Sequence, residues 1–301
     1  MELGRFKTLL ILPERGRKVK LKPFRNHLIF KDNFWNFGTS SASDAKTSLL
    51  RVKHVDSCRW TSEKDAVQTL GTALKYLTIW GRIAAVQPAA EMIGSAAAYF
   101  PAIGLVLGLL LAVSNYALVP YLHPEILSVV LITVLIGATG GIHLEGLKHT
   151  FDGITLKTPA EQSHANASLG FVAIVLVIFF KVAAADSMDE KLTLSLLLTP
   201  VLARWSLVIF IYGYHDRCEE APRLIAENVK FWHLILATIG TLTLTIYFLG
   251  RKGLWVGFLL SLFTLMTRAL LHRRHAVLRH ENFGAIVELG EVISLILLAS
   301  L

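Results

Sequence analysis

The sequence predicts an all-α integral membrane protein, a polytopic bundle of about seven transmembrane helices preceded by an N-terminal amphipathic helix. Two observations lead to this fold class. Of the 301 residues, 53% are hydrophobic and only 17% are charged, whereas about a quarter of the residues of an ordinary soluble domain are charged. Five clear and two weaker apolar runs follow residue 65, each near the roughly 20 residues that cross a bilayer core. This composition excludes a disordered, collagen-like or nucleic-acid-binding protein.

The apolar runs define the predicted spans. We place them at 94–119, 124–143, 168–187, 192–214, 231–249, 253–271 and 284–301. Ahead of them, residues 66–83 are apolar at helical spacing but carry Lys75 and Arg82. This pattern is typical of an amphipathic helix that lies in the membrane interface.

Small residues four positions apart recur in the spans. Gly104 with Gly108, and Gly137 with Gly141, are two such pairs. Because glycine lets helix backbones approach closely in lipid, both pairs predict helix packing.

The net charge of +8 is confined to the N-terminus. Residues 1–64 hold 14 Lys and Arg against 6 Asp and Glu, and residues 65–301 hold 16 of each kind. We therefore divide the chain into a basic N-terminal extension, 1–64, and a membrane-embedded domain, 65–301. The extension lacks the apolar stretch of a secretory signal. Three interpretations of it stay open: a basic cytoplasmic tail, a targeting segment, and a translation start assigned too early.

Cations of the membrane domain gather in alternate loops, and this bias predicts the orientation. With seven spans and the extension inside, the loops 144–167, 215–230 and 272–283 face the cytoplasm and carry most of the loop cations. Arg251 and Lys252 fall on the opposite side and count against this orientation. The positive-inside rule therefore favours a multi-pass protein of the cell membrane with a cytoplasmic N-terminus.

The strongest local signal is the segment from Gly140 to Gly153. If the preceding helix continues, Glu145, His149 and Asp152 lie on one helix face. Carboxylate and imidazole ligands suit Mg²⁺, Mn²⁺ or Zn²⁺, and a phosphorylated substrate favours Mg²⁺. The pattern indicates a metal site or, with equal weight, a solvated helix end whose polar side chains face the headgroups.

Charged residues also fall inside the apolar runs. A charge at the bilayer centre costs about 2.5 kcal/mol or more, so Arg204, near the middle of its span, needs a partner. Glu288 and Glu291 share a helix face, which predicts an ion pair with Arg204 or a metal site. Lys181 lies closer to a span end, and its long side chain is expected to reach the interface.

A cationic patch lies in the loop before the last span. It includes Arg273 and Arg274 and faces the same predicted compartment as Glu145. Contact with anionic lipid explains such a patch, but its position on the same predicted side of the membrane as the Glu145 cluster favours an anionic, phosphorylated substrate.

The chain resembles a known family. The segment 140–153 is similar to the glycine-glycine-x-histidine-x-aspartate-glycine-leucine…aspartate-glycine signature of the cobalamin synthases, the adenosylcobinamide-GDP ribazoletransferases. Further matches keep the family order from about residue 66 to the C-terminus: Leu77-Thr78, Tyr99-Phe100-Pro101, Lys181-Val182-Ala183-Ala184, Pro200 to Trp205, and Gly284 to Glu291.

The chain also departs from the family pattern. Glu145 and His149 stand where the signature has aspartates, and His280-Glu281 replaces a glycine-aspartate pair. A lysine, an aspartate and an arginine of the family are absent from residues 164–168. Within the signature, side chains that can bind a metal are therefore still present, although Glu145 and His149 differ in type from the family's aspartates. In residues 164–168 the family's aspartate is lost.

The resemblance implies a membrane phosphotransferase of late cobalamin biosynthesis. It would join adenosylcobinamide-GDP to α-ribazole or its 5′-phosphate and release GMP. Its expected partners are the corrinoid nucleotide, α-ribazole and the lipid bilayer, with no nucleic acid, and a homo-oligomer stays open. The expected catalytic residues are His143, Glu145, Asp152 and Arg204. The expected ligands of Mg²⁺ or Mn²⁺ are Glu145, His149, Asp152 and Glu281. The expected substrate-binding residues are Gly140, Gly141, Gly153, Arg273, Arg274, Glu288 and Glu291.

Two other hypotheses follow from the departures. A diverged paralogue would transfer another nucleotide-activated alcohol phosphate on the same scaffold. A non-catalytic membrane scaffold would keep the fold and bind no metal.

Overall fold

A computed structural model describes residues 63–83, 88–155, 169–188, 190–214, 218–274 and 277–301. The described residues lie in one unit, Trp60–Leu301, and form helices and their connections. Helices suit a lipid environment because they pair their backbone N–H and C=O groups internally. Along the chain they are α1 Glu63–Leu77, α2 Trp80–Ile83, α3 Ala90–Ser95, α4 Phe100–Leu118, α5 Pro124–Thr139, α6 Ile142–Thr155, α7 Leu169–Asp186, α8 Leu192–Ile211, α9 Glu220–Asn228, α10 Phe231–Leu249, α11 Arg251–Arg274 and α12 Glu281–Ala299.

Within these ranges, six helices are long and apolar enough to cross a membrane: α4 with the 3₁₀ turn before it, α7, α8, α10, α11 and α12. A further crossing or a re-entrant loop is formed by α5 and α6, which meet at 88°. The predicted fold class is confirmed. The predicted span at 124–143 is wrong as one straight helix, because α5 ends at Thr139.

Two glycines make the bend between α5 and α6. Gly140 and Gly141 have φ angles of 64° and 68°. This is a left-handed backbone conformation, which residues with a Cβ adopt only at a steric cost. The N–H of Gly141 donates to the carbonyl of Ile136 at 3.1 Å, and the N–H of Ile79 donates to the carbonyl of Ala138 at 3.0 Å. These bonds satisfy carbonyls at the end of α5, which would otherwise lack partners.

The central helix of the bundle is α8, which is buried along most of its length between α4 and α12. A Cβ built on Gly104 or Gly108 would lie 2.4 or 2.2 Å from backbone carbonyl oxygens of α8. The predicted packing role of this pair is confirmed. The same prediction for Gly137 and Gly141 is wrong, because a Cβ on either would meet no atom within 4 Å and Gly141 serves the bend instead.

Hydrogen bonds show which helix ends share a side of the bundle. The Asn115 amide donates to the Thr193 hydroxyl at 2.8 Å, which joins the end of α4 to the start of α8. The Lys252 ammonium donates to the Leu301 carbonyl at 2.6 Å. Exposed aromatic side chains at the same helix ends suit a membrane-water interface: Tyr116, Tyr121, Tyr247 and Trp255. The opposite side carries α6, α9 and the connection between α11 and α12.

Several predicted boundaries need correction. The predicted loop 215–230 contains α9, and α11 continues to Arg274 before the last connection begins. The predicted amphipathic helix 66–83 is present but interrupted, since α1 ends at Leu77 and α2 follows as a short separate helix. The predicted extension lies outside the described residues except for positions 63–64, and so does the segment 164–168.

Candidate active site

The glycine bend turns α6 across one end of the bundle, so the polar residues of the 140–153 segment lie on a helix of their own. The N–H of Glu145 donates to the carbonyl of Gly141 at 3.0 Å, which starts the first turn. A carboxylate in the first turn is favoured by the helix dipole. Glu145 and His149 are exposed and His143 is buried. The three side chains of α6 therefore lie at different depths below the protein surface.

A close crossing of α6 and α12 brings Glu281 against α6. A Cβ built on Gly146 would lie 2.6 Å from the Glu281 carbonyl oxygen, and one built on Gly284 would lie 3.1 Å from the Gly146 Cα. The Asn282 amide also donates to the Thr150 hydroxyl at 3.0 Å, between buried atoms. Because Gly146 and Gly284 have no side chains, α6 and α12 approach closely. This approach sets the spacing between Glu145 on α6 and Glu281 on α12.

Two adjoining cavities open at this crossing. The first, here called the inner cavity, has a volume of about 210 Å³. Its polar lining is Tyr76, His143, Glu145, His149, His280 and Glu281. The second, the outer cavity, has a volume of about 500 Å³, shares Tyr76, Ile142, Glu145 and His280, and extends toward α3 and α9. Of the four predicted metal ligands, three therefore line the inner cavity: Glu145, His149 and Glu281.

The inner cavity offers part of a metal site. One carboxylate oxygen of Glu281, Oε2, is buried with no hydrogen-bond partner, which is costly for an acceptor unless something binds it. In the described part of the chain, no three His, Cys, Asp or Glu side chains form a ready metal cage. Mg²⁺ is usually held by one or two carboxylates, with substrate phosphates and water as its other ligands. Glu145 and Glu281 fit that pattern.

Asp152 does not line the inner cavity. Its Oδ1 accepts the N–H of Gly170 at 2.8 Å, and its Oδ2 contacts the Lys148 ammonium at 2.9 Å. A Cβ built on Gly170 would lie 2.2 Å from the Lys148 carbonyl oxygen, so α7 begins directly against α6. In this arrangement Asp152 caps the N-terminus of α7. The carboxylate that sequence spacing predicts as a metal ligand is therefore bonded to α7.

His143 forms the inner wall of the cavity. It is 4% exposed, it is hydrogen-bonded to the backbone of Leu77, and Arg204 acts on it electrostatically. Its Nε2 atom is buried without a partner.

A buried ionic cluster lies in the same part of the bundle. The Lys181 ammonium contacts Glu288 at 2.6 Å and also contacts Glu291, and the Arg204 guanidinium contacts Glu291. All four side chains are at most 4% exposed. The predicted pairing of Arg204 with a carboxylate of the last helix is confirmed. The prediction that Lys181 reaches the interface is wrong, because two carboxylates of another helix hold it in the core.

Aromatic rings line the region where the two cavities adjoin, since Tyr76 and His280 line both. The Tyr76 and His280 rings lie 5.6 Å apart, and His280 lies 5.6 Å from Phe283. Burial raises the pKa of the Tyr76 hydroxyl above its ordinary value and lowers the pKa of the His280 imidazole. Both rings are therefore uncharged at neutral pH. Sequence patterns place Tyr76 on α1 but carry no signal that it meets α12.

The other predicted substrate-binding residues lie outside both cavities. Arg273 and Arg274 are exposed at the end of α11. Gly140 and Gly141 form the bend, and Gly153 follows Asp152 on α6. The two carboxylates Glu288 and Glu291 belong to the ionic cluster.

Comparisons with known proteins agree with these motifs. The sequence model of the family described as cobalamin-5-phosphate synthase matches residues 69–299. A relative named adenosylcobinamide-GDP ribazoletransferase from Geotalea daltonii is 28% identical over 218 residues, which cover 70% of this chain and 88% of the relative. A protein of the same name from Desulfitobacterium hafniense is 29% identical over 251 residues, 77% of this chain and 96% of the relative.

A third relative with this name, from a Roseiflexus species, is 27% identical over 233 residues, 75% of this chain and 87% of the relative. No solved structure gives a significant match. Since the family match includes α6, α12 and the helices of the ionic cluster, the chain belongs to the cobalamin-5-phosphate synthase family.

Proposed function

We propose that this protein is an adenosylcobinamide-GDP ribazoletransferase, which joins adenosylcobinamide-GDP to α-ribazole or its 5′-phosphate and releases GMP. The observation that carries the proposal is the inner cavity at the crossing of α6 and α12, which Glu145, His149 and Glu281 line. These residues lie within the family match, and the relatives named for this activity match over most of their length.

The reaction is a phosphoryl transfer. The attacking hydroxyl oxygen of α-ribazole forms a bond to the phosphorus of the cobinamide phosphate group, and the bond from this phosphorus to the oxygen of GMP breaks. The hydroxyl proton would pass to a base, and the carboxylates of the inner cavity are the candidates for it. Such transfers depend on positioning and on stabilisation of negative charge more than on covalent chemistry. The inner cavity has the size for the reacting phosphates, and the outer cavity adds space for the attached groups.

Glu145 and Glu281 would hold Mg²⁺ or Mn²⁺, with His149 beside them. When bound, the metal supplies Lewis-acid stabilisation of charge on the diphosphate. The chain contributes two carboxylates from different helices whose spacing depends on Gly146 and Gly284. Asp152 contributes indirectly by holding α6 against α7.

Cations near the site assist with the anionic substrate. Arg273 and Arg274 are exposed at the same end of the bundle, where they raise the local concentration of nucleotides by long-range attraction. Arg204 is different, because Glu291 already compensates its charge.

The site faces the cytoplasm in a multi-pass protein of the cell membrane. The end of the bundle that carries the cavities holds the cations Lys148, Arg223, Lys230, Arg273, Arg274 and Arg279. The opposite end holds Lys191, Arg251 and Lys252. The positive-inside rule assigns the richer end to the cytoplasm, where nucleotide substrates are available.

The alternative is a diverged paralogue that transfers another nucleotide-activated alcohol phosphate. One observation favours it: Glu145 and His149 stand where the resemblance places aspartates. A longer carboxylate and an imidazole shift the position and hardness of the metal ligands.

The test is GMP release in proteoliposomes that hold the purified protein, adenosylcobinamide-GDP, α-ribazole and Mg²⁺. We expect turnover in the wild type and in Glu227→Gln, an exposed residue paired only with Arg223 among the ion pairs of the described chain. We expect strong loss in Glu145→Gln. Complementation of a strain without cobalamin synthase, with and without residues 1–64, provides the cellular test. Turnover of a different nucleotide-activated alcohol instead would support the paralogue, and absence of both turnover and Mn²⁺ binding would support a scaffold.

A further inference from the structure

The outer cavity has two ends of different chemistry. The end that it shares with the inner cavity carries Tyr76, Glu145 and His280 beside Ile142. Apart from Lys75, the rest of its lining is aliphatic: Pro88, Ala90, Ile93, Ala221 and Ile225. Its volume of about 500 Å³ lies within the range of roughly 300–1,000 Å³ that is typical of small-molecule sites. The cavity therefore suits a molecule with one polar and one apolar end.

Two helices form the aliphatic end and are packed tightly against each other. Ala90 and Ile93 lie three positions apart on α3, and Ala221 and Ile225 lie four positions apart on α9, so each pair shares a helix face. A Cβ built on Gly94 would lie 2.3 Å from the Ile225 carbonyl oxygen, so the backbones of α3 and α9 are in contact. The walls are therefore preformed, and the small side chains of the two alanines leave the space beside them open.

A fixed aromatic ring stands where the two cavities adjoin. Tyr76 lines both cavities. Its ring stacks on Phe100 at a centroid distance of 5.8 Å, and the His280 ring meets it edge to face at 5.6 Å. Because both neighbours restrict the ring, Tyr76 provides a rigid wall between the polar and the aliphatic space.

The geometry of the proposed transfer limits which part of the substrates can occupy the outer cavity. The attacking and leaving oxygens of a phosphoryl transfer lie roughly in line, on opposite sides of the phosphorus. With the reacting phosphates in the inner cavity, the acceptor nucleoside and the leaving guanosine therefore extend in opposite directions. The outer cavity holds one of them, since the corrin ring with its amide side chains is far larger than a nucleoside.

The lining favours the acceptor nucleoside. Guanine carries several N–H donors and acceptors along its edge, and burial of these groups among aliphatic side chains would leave them unpaired at a cost in free energy. The dimethylbenzimidazole base of α-ribazole has no N–H donor and carries two methyl groups, which gain from burial against alanine, isoleucine and proline. Its ribose hydroxyls would then face the polar end of the cavity.

We propose that the outer cavity is the binding site of the acceptor nucleoside, with its benzimidazole base beside α3 and α9 and its attacking hydroxyl directed past Tyr76 into the inner cavity. This inference rests on the proposed transferase and assigns one of its substrates to a place. It makes Ala90 and Ala221 specificity-determining residues, because a larger side chain at either position would occupy the space of the base.

Filling the cavity tests its occupant through the kinetics of GMP release. In Ala221→Leu the added carbon atoms enter the space of the base, so the KM for α-ribazole should rise roughly 10-fold or more. The KM for adenosylcobinamide-GDP and the melting temperature should stay near the wild-type values. Ala269→Leu is the matched control, because Ala269 is also exposed on a helix and lines neither cavity. An unchanged KM for α-ribazole in Ala221→Leu would overturn the proposal.

Cysteine protection tests the same site without turnover and without a bulky side chain. After replacement of Cys58 and Cys218 by serine, a soluble thiol reagent should label Ala221→Cys, since Ala221 is exposed. Saturating α-ribazole should abolish most of this labelling, and GMP should not. Glu227→Cys, at an exposed position of the same helix outside the cavity, should be labelled equally with and without either ligand. Protection by GMP and not by α-ribazole would place the leaving nucleoside in the outer cavity and overturn the proposal.

Failure of this site and failure of the proposed function give different results. If the wild type releases no GMP but α-ribazole protects Ala221→Cys, the transferase proposal fails and the nucleoside site stands. If the wild type releases GMP but α-ribazole does not protect Ala221→Cys, the site is wrong and the function stands. Absence of both GMP release and protection overturns both.

Discussion

Glu281 is the residue at which the candidate site depends most directly on helix packing. It begins α12, its carbonyl lies against Gly146 of α6, and one of its carboxylate oxygens is buried without a partner. Glu281→Gln keeps the shape of the side chain but removes its charge.

We expect Glu281→Gln to lower kcat for GMP release by roughly 100-fold, since stabilisation of developing charge is usually the largest catalytic term. The free energy of unfolding should change by no more than about 0.5 kcal/mol. The melting temperature should therefore stay within about a degree or two of the wild type. Steady-state kinetics against Mg²⁺ concentration measures the effect, and Glu227→Gln is the control. Wild-type kinetics in Glu281→Gln would remove this carboxylate from the proposed metal site.

Sequence spacing alone cannot distinguish two roles for Asp152, a metal ligand and a helix cap. Its Oδ1 accepts the N–H of Gly170 at 2.8 Å. Asp152→Ala should therefore destabilise the protein by about 1 kcal/mol, as expected for the loss of a helix cap. Asp152→Asn keeps an acceptor at this position and should keep the melting temperature and most of the turnover. A folded Asp152→Asn protein without GMP release would show that the charge is required, as in the predicted metal ligand set.

Residue types in apolar runs predicted only part of the chemistry. The need of Arg204 for a carboxylate partner follows from the cost of a buried charge, and the structure supplies Glu291. The same reasoning fails for Lys181, because its position near a span end allows a route to the interface. Only the placement of Glu288 and Glu291 beside α7 makes the core the better environment.

At the scale of the elements, the crossing of α6 and α12 determines the geometry of the site. A Cβ on Gly146 would lie 2.6 Å from the Glu281 carbonyl oxygen and 3.0 Å from the Gly284 Cα, both backbone atoms. Gly146→Ala must therefore separate the two helices.

We expect Gly146→Ala to destabilise the protein by about 1–3 kcal/mol, as in other overpacked cores, and to lower GMP release because Glu281 moves with its helix. Gly137→Ala is the matched control: its Cβ would meet no atom within 4 Å, and alanine is the better helix former by up to about 1 kcal/mol. Thermal unfolding in detergent compares the two. Equal stability of both variants would contradict the tight crossing.

The bend between α5 and α6 offers a test of conformation without a packing effect. Gly141 has a φ of 68°, and a Cβ there would meet no atom within 4 Å. Gly141→Ala should therefore cost about 1–2 kcal/mol from backbone strain alone, and Gly141→Asn should cost less because asparagine tolerates this conformation. Thermal unfolding of the two variants measures the difference, and equal losses would contradict a left-handed residue at 141.

Most helix positions follow from the apolar runs, but their interruptions do not. Spans of about 20 residues are predictable because the thickness of the bilayer sets them. Gly140 and Gly141 give no such signal, since a glycine pair within an apolar run is compatible with a straight helix in lipid and with a turn. The bend depends on the hydrogen bonds that Ile79 and α6 supply.

At the scale of the whole molecule, the proposed orientation places both cavities at the cytoplasmic face. Single cysteines test it after replacement of Cys58 and Cys218 by serine. A membrane-impermeant thiol reagent should label Tyr121→Cys in intact cells, and it should label Arg274→Cys only after permeabilisation. Both native side chains are exposed, at opposite ends of the bundle. The reversed labelling pattern would overturn the cytoplasmic assignment of the site.

The sequence by itself determined the membrane class, the order of the apolar helices, and the family signature around Gly140–Gly153. These properties depend on composition and local spacing, which the bilayer constrains directly. Only the tertiary structure decided which polar residues meet. Glu281 joins Glu145 because two glycines let α6 and α12 cross closely, Asp152 is drawn to the start of α7, and Lys181 is held in the core. Contacts between distant helices are decided by the packing of backbones and the balance of buried charge, neither of which local spacing records.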